Sequence, residues 1–151
     1  MKRLYLAYGS NLNVRQMRCR CPGAKIIGTA VIRNYELLFK GSRSGSYLTI
    51  EKKHGGKVPV AVWEVSAENE QALDRYEGFP NFYYKKEMNI NVKLLDDTIE
   101  RRAAFVYIMH EERPLGMPSE SYMDICREGY VDFEFDEKFL RAALERSAKH
   151  E

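Results

Sequence analysis

The sequence predicts a single α+β domain built on a curved sheet or a small barrel. Strand-like segments rich in β-branched and aromatic residues occur along most of the 151-residue chain, and only a few helix-like segments interrupt them. Hydrophobic residues make up 44% and charged residues 30% of the chain, which is ordinary for a globular domain with one core. No repeat, low-complexity segment or linker divides residues 1–151.

The first half of the chain predicts mostly strands. They fall at residues 3–8, 26–32, 35–39, 47–51 and 58–65. A helix of about two turns is predicted near residues 13–20, because the Cys-Pro-Gly at 21–23 is a stop signal. The glycine-containing segment 41–45 predicts a flexible loop, and segment 53–57, which has two adjacent glycines, predicts the turn of a hairpin.

The second half predicts three helices from their caps and their periodicity. Ser66 caps the first of them, which ends at Gly78. Ser119 caps the next, which ends at Gly129. The last helix spans roughly residues 136–147, and its inward face carries Phe139, Leu140, Ala143 and Leu144.

Two more strands are predicted between the first and second of those helices. Residues 88–94 alternate between apolar and polar side chains, so that one face carries Met88, Ile90, Val92 and Leu94. The Asp-Asp at 96–97 turns the chain into a strand over 102–109, and a loop is predicted at 114–118.

Charge and cysteine content exclude several classes of function. The chain carries 24 basic and 22 acidic side chains, a net charge of +2, so neither a nucleic-acid nor a membrane partner is expected. An odd number of cysteines, Cys19, Cys21 and Cys126, argues against a disulfide framework, and the Cys-Arg-Cys spacing is not that of a metal-binding pair. No apolar run approaches membrane-spanning length, and we expect a cytoplasmic protein.

The segment 4–12 joins a strand-like run to Gly-Ser-Asn and then to the start of a helix. Gly9 lets the backbone come close to a ligand, and the amides that follow, near a helix N-terminus, can point at an anion. Ser10 and Asn11 can add side-chain hydrogen bonds. The pattern fits a small cradle for a carboxylate or a phosphate. It also fits a strand that ends in a turn, with Asn11 or Asn13 as the helix N-cap.

Glu77 is the second informative residue. It follows Leu73 by four positions, so the two share the inward face of their helix. In the last turn the helix dipole disfavours a carboxylate, and any burial raises its pKa further. A carboxyl placed in this way can transfer protons near neutral pH. The competing interpretation is a surface ion pair between Glu77 and an Arg or Lys.

Together, these features resemble the γ-glutamylcyclotransferase family. The Tyr-Gly-Ser-Asn-Leu at 8–12 ends the first strand, and an Asp-x-x-Glu-Gly element at 74–78 follows about 65 residues later. Three later tyrosines also match landmarks of the family: Tyr83, Tyr107 and Tyr122. The likeness covers nearly the whole chain and is weakest in the C-terminal region.

The resemblance implies a mixed, curved sheet that closes into a small β-barrel with peripheral helices. It also implies an enzyme that cyclises a γ-glutamyl group to 5-oxoproline and releases the attached amine. Carried over by position, Glu77 is the catalytic acid/base. The loop that holds the glutamyl carboxylate or carbonyl oxygen is Tyr8, Gly9, Ser10, Asn11 and Leu12, and the candidates for lining the pocket are Tyr83, Tyr107 and Tyr122.

The implied reaction needs no nucleophile from the protein. The substrate's own α-amine attacks its γ-carbonyl, Glu77 takes a proton from that amine and returns one to the leaving amine, and loop amides stabilise the oxyanion. We therefore expect no cofactor and no metal, and we interpret the three cysteines as packing residues.

Two other functions stay open at this point. One is a non-catalytic domain that binds a small ligand, and the other is an acyltransferase-type enzyme that removes a γ-glutamyl protecting group from a larger amine. Relatives acting on γ-glutamyl-lysine-type amines more often carry Gly-Thr-Leu in the loop, so Gly-Ser-Asn-Leu fits the other branch. The expected partner is a small γ-glutamyl compound, and a homodimer is the assembly considered.

Overall fold

The computed structural model describes residues 2–42 and 45–148, and its strands form a closed barrel in the order β1-β3-β2-β4-β5. The strands are β1 Arg3–Ala7, β2 Lys25–Ser42, β3 Gly45–Val65, β4 Tyr83–Leu94 and β5 Ile99–Met109. Neighbouring strands pair antiparallel except β1 and β5, which run parallel where Tyr5 meets Phe105. The predicted mixed sheet closing into a small barrel is therefore confirmed.

Helices surround the barrel, and their predicted caps are confirmed. The described helices are a 3₁₀ helix Ser10–Leu12, α1 Val14–Arg20, α2 Ala67–Glu77, α3 Glu120–Asp132 and α4 Lys138–Ala148. Ser66 caps α2, and Gly78 ends it in the left-handed conformation with φ 64°. Ser119 caps α3, which continues past the predicted end at Gly129. Among the described residues, none of the helices has the length and apolar character needed to cross a membrane.

The predicted hairpin turn at 53–57 is wrong, because these residues lie within β3. Arg33 of β2 pairs with Lys57 of β3, and Tyr35 pairs with Lys52. One residue separates Arg33 from Tyr35 in β2, whereas four residues separate Lys52 from Lys57 in β3. The excess residues form a bulge. Glycines permit either a turn or a bulge, and the bulge forms here because both flanking segments of β3 pair with the same strand, β2.

The true connection between β2 and β3 lies in the predicted loop at 41–45. The two strands remain paired as far as Ser42 and Gly45. Residues 43 and 44, the centre of that predicted loop, lie outside the described residues. The later strands begin earlier than predicted, β4 at Tyr83 and β5 at Ile99.

The predicted inward faces match the observed burial. In β4 the apolar positions are buried or half-buried, while Asn89 and Asn91 between them are exposed. In α4, Leu140 and Ala143 are fully buried, and the other two predicted residues, Phe139 and Leu144, are half-buried.

Helix α3 packs against the turn that follows β1. A Cβ built on Gly129 would lie 2.6 Å from Leu12 Cβ, so only glycine permits this approach. Asn13 Nδ2 also donates to the Ile125 carbonyl at 3.1 Å. The turn after β1 is therefore held between the barrel and α3.

Candidate active site

A cavity of about 390 Å³ lies between the turn after β1, the C-terminal end of α2 and the start of β4. Its walls include eight of the nine predicted site residues: Tyr8, Gly9, Ser10, Asn11, Glu77, Tyr83, Tyr107 and Tyr122. The ninth, Leu12, is fully buried and does not line the cavity. Residues more than 60 positions apart in the sequence thus meet in one pocket, as the two predicted motifs require.

The turn after β1 leaves backbone amides available to a ligand. The Leu12 N–H donates to the Gly9 carbonyl and the Asn13 N–H donates to the Ser10 carbonyl, both at 3.0 Å. Within residues 2–42 and 45–148, no hydrogen bond engages the amides of Gly9, Ser10 and Asn11. We call these three amides the cradle; the amide of Leu12, which also belongs to the predicted loop, is not available, because it closes the 3₁₀ helix.

The two asparagines of the turn have different roles. Asn13 caps α1, since its Oδ1 accepts from the Gln16 N–H at 3.0 Å. Asn11 instead bonds across the cavity wall, and its Nδ2 donates to the Tyr5 hydroxyl at 2.8 Å. The same Nδ2 lies 3.4 Å from Glu77 Oε1, which joins the cradle to the carboxyl.

Glu77 is the last residue of α2 and is half-buried on the cavity wall. Leu73, one turn earlier, is fully buried, as their predicted shared face requires. Burial raises the pKa of the Glu77 carboxyl to about 8, and the positive charge of Arg20 opposes this rise. The hydrogen-bond partner of Glu77 is the amide of Asn11 rather than a surface cation. A carboxyl with this pKa can accept and donate a proton near neutral pH.

Three tyrosine hydroxyls of the wall bind to backbone groups. Tyr8 donates to the Tyr107 carbonyl at 2.7 Å, and Tyr83 donates to the Leu48 carbonyl at 2.8 Å. The Tyr122 hydroxyl accepts from the Leu48 N–H at 3.1 Å. Burial raises the pKa of these three tyrosines and of Tyr107, so all four are neutral at physiological pH. These rings shape the pocket without adding charge to it.

A charged network behind the wall holds Tyr107. Its hydroxyl donates to Asp74 Oδ1 at 2.5 Å, and Lys85 Nζ lies 3.0 Å from the same oxygen. Lys85 also pairs with Glu70 at 2.6 Å, and Glu70 pairs with Arg3 at 2.8 Å. The Asp of the predicted Asp-x-x-Glu-Gly element therefore fixes a wall residue, while the Glu lies in the cavity.

Seven lining residues were not predicted: Tyr5, Tyr47, Leu48, Arg75, Tyr76, Gly78 and Phe82. Tyr76 and Gly78 flank Glu77, so their position next to the predicted catalytic residue could have indicated that they line the cavity. Tyr47 and Phe82 meet edge to face with ring centroids 6.3 Å apart, although they belong to β3 and to the segment before β4. No local pattern in the sequence brings such residues together, because their proximity depends on how the barrel closes.

The cysteines lie outside the cavity lining. Cys21 and Cys126 are buried, and burial raises their pKa values to about 11 and about 12, so both thiols stay protonated. They are packing residues, as interpreted from the sequence. That interpretation is wrong for Cys19, which is exposed because α1 turns Met17 and not Cys19 towards the core.

Solved structures share this fold. One named gamma-glutamyl cyclotransferase superposes with a TM-score of 0.75 at 24% sequence identity, over 95% of this chain and 86% of that chain. YkqA from Bacillus subtilis superposes with a TM-score of 0.74 at 17% identity, over 99% of this chain and 54% of that chain. The barrel is thus the fold of these proteins.

The sequence comparisons establish the family. The family model "Gamma-glutamyl cyclotransferase, AIG2-like" matches residues 5–124. The human protein named gamma-glutamylcyclotransferase is 29% identical over 148 residues, which cover 89% of this chain and 76% of that protein. The mouse protein of the same name is 28% identical over the same shares. The chain belongs to the γ-glutamyl cyclotransferase family, which confirms the family predicted from its motifs.

Proposed function

We propose that this protein is a γ-glutamylcyclotransferase, which converts a γ-glutamyl compound to 5-oxoproline and releases the attached amine. The observation that carries the proposal is the Glu77 carboxyl, 3.4 Å from Asn11 Nδ2 and in the same cavity as the cradle. Membership of the family and relatives named gamma-glutamylcyclotransferase support it. A non-catalytic binding domain is disfavoured, because a carboxylate beside an anionic ligand would weaken binding.

In the proposed mechanism the cradle binds the γ-carbonyl oxygen and Glu77 transfers the protons. The amides of the cradle donate to the γ-carbonyl oxygen and stabilise the negative charge that develops on it. The substrate's α-amine forms a bond to the γ-carbonyl carbon and gives a proton to the Glu77 carboxylate. The amide C–N bond then breaks as Glu77 returns the proton to the departing nitrogen. The products are a five-membered lactam and a free amine, and Glu77 ends ionised, as it began.

An aromatic wall favours cyclisation over hydrolysis in this proposal. The Tyr47 ring packs edge to face against Phe82 at 6.3 Å and against Tyr122 at 5.2 Å between centroids. If the γ-carbonyl carbon binds beside these rings, they limit the room for an ordered water there, and attack by the tethered amine is favoured over attack by water.

The cellular setting is also a proposal. We propose a small γ-glutamyl compound as the partner and the cytoplasm as the location. The three cysteines are free, one of them exposed, which fits a reducing compartment.

The direct test is a panel of γ-glutamyl amino acids, γ-glutamyl amines and larger γ-glutamyl conjugates, assayed by mass spectrometry for 5-oxoproline and glutamate. We expect 5-oxoproline from at least one member and no free glutamate, because a lactam requires attack by the tethered amine. Release of glutamate that EDTA abolishes and a divalent ion restores would identify a metal-assisted hydrolase and overturn the proposal. Turnover confined to large conjugates would identify the enzyme that removes a protecting group.

The pH dependence offers a second test. Because a base must be ionised, kcat/KM is expected to rise as the pH increases and to level off above about 8, where Glu77 loses its proton. The substrate ammonium titrates in a similar range. The pKa of Glu77 is therefore measured separately by NMR on protein labelled with ¹³C at glutamate. A flat profile between pH 6 and pH 9, sampled in steps of roughly half a pH unit, would contradict the assignment of the base.

A further inference from the structure

Arg20, at the end of α1, does not line the cavity, but it contacts two residues that do. One lies in the turn after β1 and the other in α2. One terminal nitrogen donates to Asn11 Oδ1, and the other donates to Gln16 Oε1 at 2.9 Å. The guanidinium carbon lies 3.5 Å from the centroid of the Tyr76 ring. The planar face and the donor edge of Arg20 are thus used at the same time.

The contact with Asn11 decides which way its side-chain amide points. A guanidinium has only donors, so it accepts no hydrogen bond and must face the amide oxygen. With Oδ1 directed at Arg20, Nδ2 is directed at the Tyr5 hydroxyl and at Glu77. The reversed amide would place its oxygen against the Glu77 carboxyl and its NH₂ against the guanidinium, and both contacts are repulsive.

The contact with Tyr76 reaches Ser10, the other cradle residue with a polar side chain. The Tyr76 hydroxyl lies 2.9 Å from Ser10 Oγ. Because the Tyr76 ring is stacked on Arg20, this hydrogen bond also depends on the position of the guanidinium. A single side chain from α1 therefore connects Ser10 and Asn11 to helix α2, which carries Glu77.

We propose that Arg20 is a positioning residue, which orients the Asn11 amide towards Glu77 and holds Tyr76 against Ser10, so that the cradle and the acid/base keep one relative geometry. The inference deepens the proposed function and rests on it. Arg20 touches no reacting atom and acts through Asn11 and Tyr76.

The charge of Arg20 gives the proposal a readout that a packing role would not move. The titratable groups that face Glu77 from the barrel and α3 are Tyr5, Tyr8, Tyr83 and Tyr122, and burial raises the pKa of each, so they stay neutral. Arg75, on Glu77's own helix, lines the cavity and is exposed. Arg20 is the cation that lowers the pKa of Glu77 against the effect of burial. Its removal is therefore expected to raise that pKa.

Two substitutions separate orientation from charge. Arg20→Gln is expected to lower kcat roughly 10- to 100-fold, since small misplacements of catalytic groups cost about this much. It is also expected to move the acid limb of the rate profile to higher pH. Arg20→Lys keeps a cation but loses the planar fork, so it is expected to leave the acid limb near its original pH while kcat still falls. Arg18→Gln is the matched control, because Arg18 is an exposed arginine on the same helix.

The titration of Glu77, followed by ¹³C NMR without substrate, keeps the test independent of turnover. A higher Glu77 pKa together with a lower kcat in Arg20→Gln than in Arg18→Gln and the wild type supports the proposal. Equal kcat in all three proteins would overturn it, whatever the Glu77 pKa values. If the wild type releases no 5-oxoproline from any substrate, the proposed function fails, while the NMR comparison still decides whether Arg20 acts on Glu77. If Arg20→Gln does not fold, Arg20→Lys decides: unchanged kcat overturns the proposal, and a loss of kcat with a normal acid limb supports it.

Discussion

Replacing Glu77 with glutamine is expected to lower kcat/KM for 5-oxoproline release by at least about 100-fold. The amide keeps the shape of the carboxyl and its contact with Asn11, but it cannot carry a proton. Both the deprotonation of the attacking amine and the protonation of the leaving amine use this one group, so no step of the proposed mechanism survives its loss unchanged. The matched control is Glu68→Gln, an exposed glutamate on the same helix, which is expected to retain wild-type turnover.

The loss of activity in Glu77→Gln is expected to occur in a folded protein. The pKa of Glu77 is raised from 4.5 to about 8, so its effect on the free energy of unfolding is most favourable below pH 4.5 and is lost as the pH rises through about 8. Glutamine has no charge to bury, so at pH 8 and above the Tm of the variant is expected to equal or exceed that of the wild type. Near wild-type turnover would refute the catalytic role of Glu77. A large fall in Tm at pH 8 and above would contradict the expectation that the buried, ionised carboxylate destabilises the protein.

Gly129→Ala is expected to destabilise the protein by about 1–3 kcal/mol, the usual cost of overpacking. Alanine in place of glycine within a helix normally stabilises by up to about 1 kcal/mol, so the two effects oppose each other. We expect the destabilising effect to be larger. The new Cβ would lie 2.6 Å from Leu12 Cβ and 2.8 Å from the backbone nitrogen of Asn13, which cannot rotate away.

The same substitution is expected to lower kcat/KM measured well below the Tm. Leu12 and Asn13 directly follow the cradle, so a clash that displaces them also moves the amides that we propose to bind the oxyanion. Chemical denaturation and steady-state kinetics measure the two effects. Val131→Ala, at an exposed position of the same helix, is the control and is expected to change neither by much. A Gly129→Ala protein more stable than the wild type would show that α3 can shift freely.

Local patterns were sufficient to predict the elements that make the site. The spacing of Leu73 and Glu77 and the cap at Ser66 placed the carboxyl at the end of a helix, and the structure agrees. The sequence could not choose between Asn11 and Asn13 as the cap, because both have the same chemistry and only the path of the chain separates them. Leu12 was assigned to the pocket from its position in the motif, but the 3₁₀ helix turns it into the core.

The features that the sequence did not predict depend on contacts between distant parts of the chain. The glycines at 53–57 have the composition of a hairpin turn, and only pairing of both flanking segments with one strand reveals a bulge. In the sequence, Arg20 belongs to a short run of basic residues and lies between two cysteines, and neither feature marks it as part of the site. Its importance arises from contacts with Asn11 and Tyr76, and the second of these lies 56 positions away in the sequence.

The backbone of Leu48 links the pocket to the stability of the barrel. β1 covers β3 only from Ala61 to Val65, so near Leu48 the edge of β3 that faces away from β2 has no strand partner among the described residues. Tyr83 and Tyr122 occupy the Leu48 carbonyl and N–H there. The tyrosines that shape the pocket thus also satisfy two buried backbone groups that no strand pairs with. Trimming these rings to widen the substrate range is therefore expected to leave a buried N–H or C=O unpaired and to cost stability, and a replacement that keeps a hydroxyl at the same place will be tolerated best.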